Sequence, residues 1–324
     1  MNEFDLIQQF FSKAHSKRAD VVLGIGDDCA LLQPKSGYQI AITTDTMVDG
    51  VHFDDRLNAA DLAHKLVAVN LSDLAAMGAE PCWVSLALTL PSSDTNWLAE
   101  FATMLANRLQ HYGVSLIGGD TTRGPLTLSL TAQGQLPAGS AMTRCGAKAG
   151  DLILVSGSLG DAALALQQEK IASLPVADIA ALERRLFRPI PRIELGLAIR
   201  QFATSCVDIS DGLSADLGHI LARSSRASGH ALGATINTDQ LPVSAAAMLA
   251  LGAKQAALNA LKGGDDYELC FTVSPDLLQQ VLAAAEQSNT PVTVIGEINQ
   301  TGKLTIQYQQ QHVDWRAQGY LHFS

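Results

Sequence analysis

A chain of 324 residues, 47% apolar and 17% charged, has a globular composition and is too long for one typical core, so two domains are expected. A formal net charge of −10 argues against a nucleic-acid binder, which would show a basic face, and a phosphate-handling protein of that charge needs bound cations to offset repulsion. Five scattered cysteines (Cys29, Cys82, Cys145, Cys206, Cys270), an acidic Met1–Asp5 and no long charge-free apolar run predict a reducing, cytoplasmic setting without zinc, structural disulfides or a membrane partner.

The spacing of Phe4, Ile7, Phe10 and Phe11 predicts a short helix. The apolar run Val21–Leu23 then enters Gly24-Ile25-Gly26-Asp27-Asp28-Cys29-Ala30, two adjacent carboxylates on a turn that two glycines make flexible. Tyr38–Thr44 predicts a strand that ends at Thr43-Thr44-Asp45-Thr46. Asp61 reads as the N-cap of a long helix through about Met77, closed by Gly78 and followed by Pro81. In that helix Leu62, Leu66, Val67, Val69, Leu71 and Leu74 are core-like, yet Asn70 and Asp73 lie three apart on one face. A carboxylate in so apolar a helix must be paired, hydrogen-bonded or on a metal.

Ser85–Leu90 predicts a strand, Asp94–Tyr112 a helix, Val114–Ile117 a strand delivering Gly118-Gly119-Asp120, and Leu126–Leu136 a strand that completes the first half. The Gly-, Ala- and base-containing stretch from Pro137 to Gly150, with Arg144 and Lys148, is the expected joint, giving domains 1–138 and 139–324. Beyond it come a strand at Asp151–Ser156 and helices at Ala162–Gln168, Val176–Phe187 and Pro191 to about Thr204. A short strand Cys206–Ile209 runs into Asp208-Ile209-Ser210-Asp211-Gly212, and helices follow at Leu213 to about Arg226 and from about Lys254. Strand Tyr267–Val273, helix Pro275–Gln287 and strands Pro291–Ile298 and Lys303–Tyr308 finish the pattern. Strands and helices mixed in both halves give an α/β or α+β class.

Six acidic turns share one grammar, an apolar run followed by Gly, Ser or Thr and then Asp: at Asp27-Asp28, Asp45, Asp73, Asp120, Asp208 to Asp211, and Asp265-Asp266. Each has an ordinary explanation when taken alone: an Asx turn at Asp27, a polar strand end at Thr43–Thr46, N-capping by Ser210 or Asp211. Together they favour a common cause. Carboxylate and hydroxyl oxygens without His or Cys partners suit Mg²⁺ or Mn²⁺. Gly24–Asp28 fails as a dinucleotide fingerprint, because Cys29 takes the third glycine position and two carboxylates would face the pyrophosphate. No Walker lysine motif, kinase His-Arg-Asp loop, G-x-S-x-G or H-E-x-x-H occurs, so any phosphate is handled by metals and backbone amides.

The strings GIGDDCALL, TTDTMVDGVHF, AVNLSDLAAMGAEP, LIGGDTTRGP, TRCGAKAGD, VDISDGLSADLGH and GGDDYELCF, in this order from about Phe4 to Tyr320, resemble the thiamine-monophosphate kinase family of the aminoimidazole-ribonucleotide synthetase superfamily. The resemblance implies ATP-dependent phosphorylation of thiamine monophosphate to thiamine diphosphate with several Mg²⁺ ions. It also implies a two-domain PurM-like α/β (α+β) fold. In that fold the N-terminal domain contributes to an intersubunit β-barrel in a homodimer, and a C-terminal α/β domain covers the nucleotide. Carried over, the metal ligands fall on Asp28, Thr43, Thr44, Asp45, Asp73, Asp120, Asp208 and Asp211. Nucleotide contacts fall on Gly119, Asp120, Arg144, Ser210 and Tyr112, and substrate contacts on His52, Asp265 and Trp315. Asp45, Asp120 and Arg144 carry the catalytic roles. Where the family usually has Gly-Gly-Glu-Asp this chain has Gly-Gly-Asp-Asp, so the carboxylate of Asp265 is one methylene shorter. Two rivals remain open: a superfamily synthetase that uses ATP on another small phosphorylated substrate, and a non-catalytic binding protein.

Overall fold

A computed structural model of the chain describes residues 7–11 and 18–315. Phe4 and Tyr320, the ends of the family resemblance, lie outside them. Of the helix expected over Phe4–Phe11, the described part is a π-helical turn at Ile7–Phe11. The chain divides into two compact units: Met1–Leu74 with Ala79–Gly139, and Ala75–Gly78 with Ser140–Ser324. Each is a mixture of helices and strands.

In the first unit, β1 (Val21–Leu23) and β2 (Leu31–Leu32) pair antiparallel on either side of the Gly24–Ala30 turn. There follow β3 (Tyr38–Val48), α1 (Ala59–Ala76), β4 (Glu80–Leu90), α2 (Thr95–His111), β5 (Ser115–Arg123) and β6 (Thr127–Pro137). The four long strands form one sheet in the order β3-β6-β4-β5. It is antiparallel except between β4 and β5, where α2 supplies the crossover that a parallel pair requires. Leu62, Ala63, Leu66, Val67 and Leu71 of α1 are buried, as are Leu98, Phe101, Leu105 and Leu109 of α2 and Leu128 and Leu130 of β6. A helix apolar on nearly every side belongs at the centre of its domain, and α1 is such a helix.

Several boundaries differ from the sequence expectation, among them the start of β4 at Glu80 and not Ser85; three bear on the site. The cap of α1 is Asn58, whose Oδ1 accepts the Asp61 amide at 2.8 Å, so Asp61 lies in the first turn, where a carboxylate faces the helix dipole. Strand β3 continues through Val48 in unbroken register with β6, so Asp45, opposite Leu130, is a mid-strand residue and not a strand end. Strand β5 likewise runs on through Gly118-Gly119-Asp120. The glycine at 119 answers to strand packing, because a Cβ there would stand 1.8 Å from the Leu86 carbonyl oxygen of the neighbouring strand.

The second unit runs β7 (Leu152–Ser156), α3 (Asp161–Ala165), α4 (Gln168–Ile171), α5 (Val176–Phe187), α6 (Ile193–Ile199), β8 (Ala203–Asp208), α7 (Leu213–Ser228), β9 (Gly233–Asn237), α8 (Ala245–Leu251), α9 (Ala253–Lys262), β10 (Leu269–Val273), α10 (Leu278–Gln287), β11 (Val292–Asn299), β12 (Leu304–Tyr308) and β13 (Gln311–Val313). Its strands make one sheet in the order β13-β12-β9-β11-β7-β10-β8. Ile153, Val155, Val207, Leu217, Ile220, Ile236 and Ile295 belong to its main core. The helix expected to reach Thr204 stops at Ile199, because Ala203–Asp208 is taken into the sheet beside β10. The strand expected from Tyr267 starts at Leu269, because Asp265 (φ 65°) and Tyr267 (φ 51°) hold left-handed backbone that no strand accepts. Strand β9 and helix α8 were not expected; Gly-Ala-Thr-Ile-Asn and Ala-Ala-Ala-Met-Leu-Ala-Leu are too short to show a period.

Candidate active site

In the first unit the side chains gather where β3 meets α1. Residues of β3 alternate between faces, so Thr43 and Asp45 share one side. On α1, Asn70 and Asp73 are three apart and share a helix face. The Thr43 hydroxyl donates to Asp73 Oδ2, and the Asp45 amide donates to Asn70 Oδ1 at 3.1 Å. Burial, and then the charge of Asp73, push the Asp45 carboxyl up to about 6. Two carboxylates crowded into a half-buried corner with a hydroxyl are costly when ionised, and a divalent cation relieves that cost. The donors are all oxygen, so the corner fits Mg²⁺ or Mn²⁺.

The other expected residues of this unit do not all share that corner. Thr44 lies on the opposite face of β3, where its hydroxyl meets that of Thr131 at 2.8 Å. Asp28 is exposed in the turn after β1, and its amide donates to Asp27 Oδ1 at 2.9 Å. Asp27 is thereby the turn-making residue and Asp28 keeps its carboxylate outward. Asp120 is exposed on the edge strand β5, opposite Ala87, one residue beyond Gly119. Tyr112 is the C-cap of α2, its ring edge-on to His111 with centroids 4.7 Å apart. His52 accepts the Val48 amide on Nδ1 at 3.1 Å.

In the second unit Asp208 is buried at the end of β8, and Ser210 and Asp211 follow it in the loop to α7. Asp216, in the first turn of α7, accepts the amides of Ser210, Asp211 and Gly212, each at 3.1 Å. Burial and then the charge of Asp211 push its carboxyl up to about 7, against the pull of those three donors. Asp211, Asp216 and His219 place ligand atoms within 4.8 Å of one another. A second loop is sewn to the first: Asp265 N donates to Ser210 O and Tyr267 N to Ile209 O, both at 2.9 Å. Gly264 is obligatory there, since a Cβ would stand 2.4 Å from Ser210 O. The Tyr267 hydroxyl donates to Asp265 Oδ1 at 2.9 Å. Arg144 is exposed, and Trp315 packs against the main core of the unit with its indole N–H buried and unpartnered.

Asp216 and His219 are not among the ligands expected from the sequence. Their i, i+3 spacing just after the Ser-Asp-Gly turn was the available signal.

Residues 26–136 match the family described as AIR synthase related protein, N-terminal domain, and residues 148–309 its C-terminal domain. The chain is 47% identical to the thiamine-monophosphate kinase of Haemophilus influenzae over 93% of its own length and 90% of the relative's. It is 48% identical to that of Escherichia coli K12 over 91% and 90%. Among solved structures it is similar to the thiamine-monophosphate kinase of Stenotrophomonas maltophilia K279a, with a TM-score of 0.83, 47% identity and 90% and 92% of the two chains covered. It is also similar to AaThiL complexed with AMPPCP and TMP, with a TM-score of 0.74, 27% identity and 92% of each chain covered.

Proposed function

The chain belongs to the AIR synthase related family, among its thiamine-monophosphate kinases, and we propose that it transfers the γ-phosphoryl group of ATP directly, in line, onto the phosphate of thiamine monophosphate. It is an ATP-dependent kinase whose product is thiamine diphosphate. The observation that carries the mechanism is the pair of crowded carboxylates, Asp45 and Asp73, with Thr43 between strand and helix. The attacking phosphate oxygen is already anionic at neutral pH, so no strong general base is needed. The difficulty is to bring two polyanions together.

Asp45, Asp73, Thr43, Asp28 and Asp120 are the residues of the first unit that would hold Mg²⁺, and Asp208 and Asp211 those of the second. Thr44, its hydroxyl on the other face of β3, would serve only through its backbone. When bound, Mg²⁺ supplies neutralisation of phosphate charge and a template for alignment. Gly119, Ser210 and Tyr112 are assigned to the nucleotide. Arg144, exposed, would hold the ATP phosphates and stabilise charge on the group in transfer. His52, held by the Val48 amide on Nδ1, is assigned to the substrate. Asp265, braced by Tyr267, is assigned to the thiamine moiety. Trp315 would stack on the cationic thiazolium at about 0.5–2 kcal/mol.

A homodimer built through the first unit is supported by the outer face of β3, where Ile40 (43% exposed) and Ile42 (66%) form an apolar row. Five free cysteines, three of them buried, suit the cytoplasm. No helix among the described residues is long and apolar enough to cross a membrane.

Incubation with ATP, Mg²⁺ and thiamine monophosphate is expected to give thiamine diphosphate by mass, with no phosphorylated Ser, Asp or His trapped during turnover. Release of ADP and free phosphate alone would overturn the kinase reading, and a trapped phosphoprotein would overturn direct transfer.

The pH dependence of metal binding follows from Asp45. Its folded value, about 6, is raised above the ordinary 3.8. The stability tied to its protonated form is therefore full below about 4 and lost as pH rises through about 6. Mg²⁺ needs the ionised form, so each pH unit below about 6 is expected to weaken its apparent affinity about tenfold. Thermal unfolding with and without Mg²⁺ at about pH 5 and about pH 7.5 checks this; stabilisation should be large at the higher pH and mostly gone at the lower.

A further inference from the structure

Asn70 is fully buried in the middle of α1, between Val69 and Leu71, where a carboxamide has low helix propensity and must be bonded to be tolerated. Both ends of the amide are used. Nδ2 donates to the Leu66 carbonyl one turn back at 2.9 Å, which fixes the plane of the group. Oδ1 then accepts the Asp45 amide at 3.1 Å, across 25 positions of sequence. Strand β3 is an edge of its sheet, so alternate amides along it have no neighbouring strand to bond. The one at Asp45 is given to Asn70. Three residues further along the same helix face, Asp73 accepts the Thr43 hydroxyl. Two side chains of one rigid helix therefore grip two residues of β3 that share a face, and the separation of the Asp45 and Asp73 carboxylates is set by that grip.

We propose that Asn70 is a positioning residue for the metal corner, fixing the Asp45 carboxylate relative to Asp73 by holding the Asp45 backbone. The proposal rests on the reading above that Asp45 and Asp73 hold the divalent ion. A partner that orients a metal-binding group without touching the ion changes metal affinity by about 10–100-fold when removed. A residue needed only for folding changes stability and leaves the folded fraction binding normally.

The test is Mn²⁺ binding followed by electron paramagnetic resonance, without nucleotide, on the parent chain, Asn70→Leu and Asp45→Asn. Thermal unfolding of each metal-free protein runs alongside. Asn70→Leu is expected to weaken Mn²⁺ binding and to raise the Mg²⁺ concentration for half-maximal activity, each about tenfold, with kcat at saturating Mg²⁺ largely restored. The KM for thiamine monophosphate at saturating Mg²⁺ should be unchanged. If Asn70→Leu fails to fold, Asn70→Ser takes its place, with a shorter side chain that does not span to Asp45. Normal Mn²⁺ affinity in the Asn70 variant beside weakened affinity in Asp45→Asn would overturn the positioning role alone. Normal affinity in Asp45→Asn would overturn the metal assignment and this proposal with it.

Discussion

Asp45→Asn is expected to lower kcat by roughly 10²–10³-fold while the protein folds as before. The amide is isosteric, so the Asp45 backbone bond to Asn70 and the pairing of β3 with β6 are unaffected. What is lost is one charge in the oxygen corner. Because burial and Asp73 make the ionised Asp45 costly, the variant without metal should unfold at the same temperature as the parent or slightly higher at neutral pH. Falling activity beside unchanged or rising stability separates a metal-binding role from a structural one. Asp120→Asn, at an exposed strand position, should likewise lose most activity with no change in unfolding temperature. Thiamine diphosphate formation and thermal unfolding measure both. Retained activity in both variants would remove the metal-cluster model.

The acidic turns were legible because each sits beside an apolar run, and a carboxylate there demands a reason. The anomaly at Asn70 and Asp73 was visible from helical spacing alone; what Asn70 holds was not, since its partner lies on another element. Strand ends were misjudged wherever glycine or threonine looked like a terminator. Gly119 lies inside β5 because a neighbouring carbonyl leaves no room for a Cβ, a fact of pairing that no local window contains. Thr44 shows the opposite limit. It stands beside Thr43 and Asp45 in sequence, yet the strand's two-residue period turns its hydroxyl to the other face. Motif adjacency places these residues side by side in sequence, and the pleat decides which atoms face one another.

Glu268→Gln is expected to cost about 3 kcal/mol of stability in the second unit and to lower its unfolding temperature by roughly 6–12 °C. The carboxylate is fully buried, two residues before Cys270. Its Oε1 accepts Arg185 Nη2 at 2.9 Å and Arg192 Nη2 at 2.5 Å. Oε2 accepts Arg192 Nε at 2.6 Å and the Ser156 hydroxyl at 2.5 Å. Both guanidiniums keep 15–18% of their side-chain surface exposed, which places the cost of orphaning them at the low end of the range for buried pairs. Position 157 must be glycine beside this carboxylate, since a Cβ there would stand 2.1 Å from Oε1.

Burial by itself would raise the Glu268 carboxyl; the bonds and charge of Arg192, then the charge of Arg185, outweigh it and hold the group below its usual 4.5. A carboxyl depressed by folding contributes stability that is full above the unfolded value and lost as pH falls through the folded one. The gap between the parent and Glu268→Gln should therefore be widest at neutral pH and narrow as pH falls below 4.5. Unfolding temperatures of both proteins from about pH 7 to about pH 3.5 test this. Equal values at neutral pH would mean that the arginines are well enough hydrated to stand without the carboxylate. The anchor also has a functional consequence. The Glu268 carbonyl accepts the Ile209 amide, and its chain leads directly from Asp265 and Tyr267. Loosening it should cost substrate affinity before it costs the fold, as a rise in the KM for thiamine monophosphate well below the unfolding temperature.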